Sequence, residues 1–252
     1  MGAMHLGPSG AALGTTLSQA ISVVASLIVI LRRKNGIRLQ KQALRPQRSV
    51  MGELLQVGLP ITFQDLFVQI SFMFITAIAN RRGLTDAAAV GIVEKFIGFV
   101  FLVPSSMQST VSAIGAQNIG AGKLLRVKEG FRAGLKLVWA LSLPMMLLYA
   151  FGGGTLIHIF IDAPTETALQ TAVTYLRILS PFYFVVSAKL VADGILRGGG
   201  VMGKFMISTF TDLILRVVLA VVLSKTALGA TGIWCAWPVG WTVATVLSVL
   251  FY

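Results

Sequence analysis

Seven stretches of this chain are long and almost continuously apolar, and short polar or glycine-rich connections separate them. They cover residues 9–31, about 54–79, about 87–114 and 135–160, then two runs within 175–223, and last about 232–252. A bilayer core is crossed by roughly 20 helical residues, so the pattern predicts an all-α membrane protein with seven transmembrane helices. Prolines at 60, 104, 144, 181 and 238 each fall in a different run, where the missing N–H and the ring clash kink a helix. Gly152, Gly153 and Gly154 mark a weak point in the fourth run. Pro60 and Pro181 are the candidates for functional bending, because their runs also hold polar groups at depth.

Composition sharpens this picture. Only 12% of residues are charged, against about 25% in an ordinary soluble domain, too few to cover a globule of this size. The net charge of +12 would suit a nucleic-acid partner, but its distribution argues against one. Arg32, Arg33, Lys34, Arg38, Lys41, Arg45 and Arg48 share one linker; Lys123, Arg126, Lys128, Arg132 and Lys136 surround a second connection; Arg197 and Lys204 flank a third. Those fourteen face only Arg81, Arg82 and Lys225 in the alternate connections. This is the positive-inside asymmetry of a multi-pass protein of the cell membrane, with the N-terminus of the stretch outside. The partners expected are the lipid bilayer and its anionic headgroups, and no nucleic acid. The acidic loop with Asp162, Pro164 and Glu166 falls on the outer side. The divisions read as 1–31, a first span; 32–52, a basic cytoplasmic linker; and 53–252, a six-helix body.

Charges inside the runs are the candidates for function, since ionisable groups in hydrocarbon normally face a protein interior or a wet pathway. Gln64, Asp65 and Gln69 are spaced to share one helix face. Desolvation near mid-bilayer would favour the neutral form of Asp65, which a proton or a sodium ion would supply; the alternative is a hydrogen bond to a neighbouring helix with no further role. Lys189 and Asp193, and likewise Asp212 and Arg216, stand four residues apart and can neutralise one another. Glu94 and Lys95 are adjacent and point to different sides of their helix. Phe96, Phe99, Phe101, Phe182, Tyr183 and Phe184 are packing residues or the wall of a pocket for flat cations. Lone Cys235 and the separated His5 and His158 offer no metal site, so no enzyme chemistry and no cofactor is expected. Gly198, Gly200 and Gly203 spell a dinucleotide-like fingerprint without the strand such a site needs. With no phosphate-binding loop either, an ion gradient is the expected energy source.

Several segments, in order, carry a resemblance: GAALGTTLSQ (10–19), GLPITFQ (58–64), SAIGAQNIGAGKLLRVKEGFRAG (112–134), then YLRI, PFY, GILRGGG and LRVVLA within 175–223, and GATGIWCAWPVGW (229–241). Together they resemble the multidrug and toxic compound extrusion (MATE) transporters. The likeness implies helix six and the C-terminal six-helix lobe of a twelve-helix antiporter, its partner lobe lying outside this stretch. It implies export of organic, often cationic, compounds by alternating access, driven by H+ or Na+. The predicted pathway residues are Gln64, Asp65, Gln69, Lys95, Tyr183, Lys189, Asp193, Asp212 and Arg216. Lys95 and Arg216 match charged positions of relatives. The family's sodium-binding carboxylates would fall near Val68 or Gln69 and near Val186, none of them acidic, so that sodium site is not implied here. The alternatives are a flippase for lipid-linked oligosaccharides from the same superfamily and a seven-helix channel or receptor.

Overall fold

A computed structural model describes residues 7–32, 46–160 and 165–252. His5, the linker residues Arg33, Lys34, Arg38, Lys41 and Arg45, and Asp162 and Pro164 of the acidic loop lie outside the described residues. The described residues form nine α-helices and no strand. Two compact units are present, 1–51 and 52–252. The described helix of the first is α1 (Gly7–Arg32), whose Leu13, Leu17, Ile21 and Leu27 are exposed, as in a helix made for an apolar surround.

The second unit is built from α2 (Arg48–Arg82, whose first residues precede it), α3 (Leu84–Gly120), α4 (Leu124–Phe151), α5 (Gly153–Phe160), α6 (Glu166–Leu179), α7 (Phe182–Gly198), α8 (Met202–Ser224) and α9 (Gly229–Phe251). Among the described residues, α1, α2, α3, α4, α8 and α9 are each long and apolar enough to cross a bilayer, and α6 with α7 makes a seventh, bent span. The helices outrun the apolar stretches. The predicted connection around Gln117–Gly130 shrinks to a tight turn, with Gly122 in the left-handed region (φ 70°). Its lysines and arginines are good helix formers, so α4 continues through them beyond the apolar band.

The fifth run is corrected in two ways. It begins earlier, Glu166 belonging to the first turn of α6 and not to a loop, and it is broken. α6 and α7 meet at 53° across Ser180–Pro181. Pro181 has no N–H to give the carbonyl of Arg177, which takes the Ser180 hydroxyl instead at 3.0 Å. The fourth run breaks at its glycines as expected: α4 stops at Phe151 and α5 restarts at Gly153. At Pro60, by contrast, α2 runs on without interruption.

Close packing of small residues holds the body together, as is usual where lipid removes the hydrophobic drive between helices. Gly194 and Gly198 are four apart on α7 and lie against the α3 backbone at Gln108 and Ser112. A Cβ at Gly194 would come within 2.6 Å of the Gln108 carbonyl. On α9, Gly232 abuts Leu223 of α8 in the same way. The core between these contacts is aromatic. Trp234, Trp237 and Trp241 form one buried edge of α9, and Tyr175 lies 4.3 Å from the first ring while Tyr183 and Phe101 each lie 5.8 Å from the last.

Both ends of the body are tied. Arg82, the last residue of α2, pairs with Asp86 at 3.1 Å and donates to the Ser224 carbonyl at 2.9 Å, at the end of α8. At the opposite end, Gly199 of the α7–α8 turn packs on Ile119. Among the described residues, the α2–α3 and α8–α9 turns thus lie at one end and the α3–α4 and α7–α8 turns at the other.

Candidate functional site

Midway along the helices lies a cavity of about 510 Å³, walled by five of them. α2 contributes Gln64, Asp65, Val68, Gln69 and Phe72, the shared face the spacing predicted. Asp65 is the central residue of α2, 17 residues from Arg48 and 17 from Arg82, so about 26 Å of helix lies on either side of it at 1.5 Å per residue. α3 adds Glu94, Phe101 and Gln108; α7 adds Val186, Lys189 and Arg197; α8 adds Thr209, Asp212 and Arg216; and α9 adds Trp237 and Trp241. Three carboxylates therefore face three basic groups across one aromatic-backed space.

The charges are not equivalent. Lys189 and Asp193 are buried and paired at 2.6 Å, as their spacing predicted. The other carboxylate oxygen of Asp193 accepts from Ser248 of α9 at 2.6 Å, and Ser208 of α8 shares its single hydroxyl hydrogen between Ser248 Oγ and the Ala244 carbonyl at 2.9 Å. This chain stitches α7, α8 and α9 together behind the cavity and leaves Lys189 on its wall. Glu94 accepts from Thr76 at 3.0 Å. The guanidinium of Arg197 sits over Phe205 at 5.4 Å.

Asp212 and Arg216 depart from expectation. Among the described residues, ion pairs within 4 Å form at Arg82–Asp86 and Lys189–Asp193, and not between these two. The Arg216 guanidinium lies over Trp237 at 4.5 Å and over Phe72 at 5.5 Å, a cation–π arrangement that draws it off its predicted partner. Asp212 Oδ1 and Arg216 Nε are buried without a hydrogen-bond partner, as are Thr209 Oγ1, Gln108 Nε2 and Gln64 Oε1 on the same wall. An unmet buried polar atom costs about 1–3 kcal/mol, and five of them gather in the side chains around this one hollow.

Three predicted pathway residues do not line this cavity. Lys95 is exposed on the far side of α3, and its neighbour Glu94 takes the inward position. Tyr183 is buried in the aromatic core with Tyr149 and Trp241. Asp193 lies behind the wall, reaching it only through Lys189. Of the other aromatic candidates, Phe101 lines the cavity, Phe96 packs on Tyr149 and Phe184 on Trp139. Sequence reasoning missed Gln108, Arg197, Thr209, Trp237 and Trp241 as wall residues. For Trp237 and Trp241, burial of an aromatic face four residues apart was a signal only for core packing.

Residues 60–222 match the family profile described as MatE. The chain belongs to the MatE family. A probable multidrug resistance protein of Bacillus subtilis (strain 168), YoeA, is 24% identical over 251 residues, 98% of this chain and 54% of that protein. Among solved structures, an outward-facing multidrug resistance MATE family transporter of the MOP superfamily matches with a TM-score of 0.89 at 19% identity, over 98% of this chain and 56% of its own. A MOP superfamily transporter from Pyrococcus furiosus, whose binding pocket is described as of reversed polarity, matches with a TM-score of 0.72 at 18% identity, over 79% of this chain and 44% of its own. The chain thus has a MATE fold and spans about half the length of these relatives. It is a multi-pass membrane protein. Val68, Gln69 and Val186, where the resemblance would place sodium-binding carboxylates, all lie on the cavity wall, and none is acidic.

Proposed function

We propose that this chain is the C-terminal six-helix lobe, with the last helix of the other lobe before it, of an ion-gradient-driven antiporter that exports organic, often cationic, compounds by alternating access in the cell membrane. The observation that carries the reading is the mid-helix cavity lined by Asp65 together with the rings of Phe72, Phe101, Trp237 and Trp241. A carboxylate there attracts cations, and rings beside it hold flat apolar ones. H+ or Na+ is the coupling ion in this reading, Asp65 is its candidate acceptor in this lobe, and a second six-helix lobe completes the space. Bundles that rock about a fixed central site then expose it to one side at a time, and the break at Pro181 and the proline at Pro60 are the candidate hinges.

The flippase alternative is less well supported. A pyrophosphate-linked substrate asks for an excess of basic side chains, whereas the wall balances Lys189, Arg197 and Arg216 against Asp65, Glu94 and Asp212. The test is accumulation of ethidium by efflux-deficient cells that express the full-length protein. Ethidium is expected to fall relative to empty cells, and to return when the ion gradient is collapsed with an uncoupler or a sodium ionophore. Asp65→Asn is expected to abolish at least nine-tenths of that export. Unchanged export by this variant removes Asp65 from the mechanism; no gradient-dependent export of any dye removes the antiporter reading.

A further inference from the structure

The unpaired charges on α8 carry a more specific conclusion, which rests on the transport reading for its purpose and not for its geometry. Thr209, Asp212 and Arg216 fall three and four residues apart and so share one face of the helix. All three are more than nine-tenths buried, all three line the cavity, and each keeps one polar atom without a partner. Two oppositely charged groups at this spacing would ordinarily close on one another. Here they are held open from both sides.

Trp237 and Phe72 hold the guanidinium from above, at 4.5 Å and 5.5 Å. Gly240 of α9 holds the carboxylate from below: it lies so close that a Cβ there would stand 2.6 Å from Asp212 Oδ1. α9 therefore presents bare backbone to the acid and a ring face to the base, and satisfies the open atom of neither. Trp237 Nε1, a donor on the same wall residue, is also without a partner.

We propose that this face is a binding subsite for an organic zwitterion, a solute that carries an ammonium and a carboxylate close together beside an apolar or aromatic body. The ammonium pairs with the Asp212 carboxylate and the carboxylate accepts from the Arg216 guanidinium, the two charged side chains that α8 places on the cavity wall. A simple cation would satisfy the acid and be repelled by the arginine; a simple anion would do the reverse. Only a ligand with both charges meets both groups, because desolvated charges left unmatched weaken binding more than matched ones strengthen it.

Three indoles of nearly equal size test this: tryptophan (zwitterion), tryptamine (cation) and indole-3-propionate (anion). Binding of each to the purified full-length protein in detergent would be measured by calorimetry, and competition with ethidium export would be measured in cells that express it. Tryptophan is expected to bind at least tenfold tighter than either singly charged analogue. Asp212→Asn should erase its advantage over indole-3-propionate, and Arg216→Gln its advantage over tryptamine. Arg216→Lys, which keeps the charge, should retain part of the preference. Because the wild-type ranking needs no variant, a misfolded mutant does not blunt the test. Tryptamine binding as tightly as tryptophan, or no binding of any of the three, overturns the zwitterion subsite even where ethidium export is intact. A tryptophan preference without gradient-dependent export of any dye or of tryptophan itself would sustain the subsite and overturn the antiporter reading instead.

Discussion

Replacing Asp193 by alanine is expected to lower the unfolding free energy by about 3–5 kcal/mol, the usual consequence of leaving one member of a buried ion pair alone. The pair is enclosed: Asp193 is fully buried, and Lys189 is 4% exposed. Without the carboxylate, the Lys189 ammonium has no hydrogen-bond acceptor at 2.6 Å, and Ser248 loses the one it uses to reach α7. Thermal or SDS-driven unfolding in micelles would read the loss. The double replacement Lys189→Met with Asp193→Leu removes both charges and is expected to recover most of it, since well-packed apolar residues often replace a buried pair without penalty. A double variant no more stable than Asp193→Ala would show that the hydroxyl chain through Ser248 and Ser208, and not the charge pair, holds α7 to α8 and α9.

Gly198→Leu is expected to be comparably severe, and for a reason with no charge in it. The built Cβ meets the carbonyl of Ser112 and the amide of Ala116, and neither backbone atom can rotate aside as a side-chain tip could. Overpacking of this kind costs about 1–3 kcal/mol or more. It would also push α7 away from α3, displacing Lys189 and Arg197 on the cavity wall, so dye export should disappear together with thermal stability. Gly203→Ala is the matched control. It lies on the exposed side of α8 with nothing within 4 Å of a new Cβ, and is expected to change stability by no more than about 0.5 kcal/mol. If both variants melted alike, the tight seam between α3 and α7 would not be what sets the stability of the body.

Which features could be read from the sequence follows from how local their causes are. Seven spans were visible because each is a continuous apolar run, and the Lys189–Asp193 contact because both partners lie one turn apart on one helix. The same spacing misled at Asp212 and Arg216, where Trp237, 21 residues further on, supplies a ring that outcompetes the neighbouring carboxylate. Glu94 and Lys95 show a different limit. Adjacent residues must point to different sides of a helix, but only the packing of α3 decides that Glu94 faces inward. The start of α6 was hidden because 166–174 is amphipathic and lacks the unbroken apolar character of a span. Its bend at Pro181 was legible, since the missing N–H acts on the chain's own preceding turn.

The tie from Arg82 to the Ser224 carbonyl has a mechanical consequence. It fastens the far end of α2 to the end of α8, and the stretch that faces the cavity lies between that fastening and Pro60. If α2 flexes at Pro60, the twelve residues from Arg48 to Leu59 swing while Gln64, Asp65 and Gln69 keep their station. Such a lever would lift Val57 off Leu196, Met202 and Phe205 at one end of the bundle, prising open the rim while the cavity face of α2 stands still.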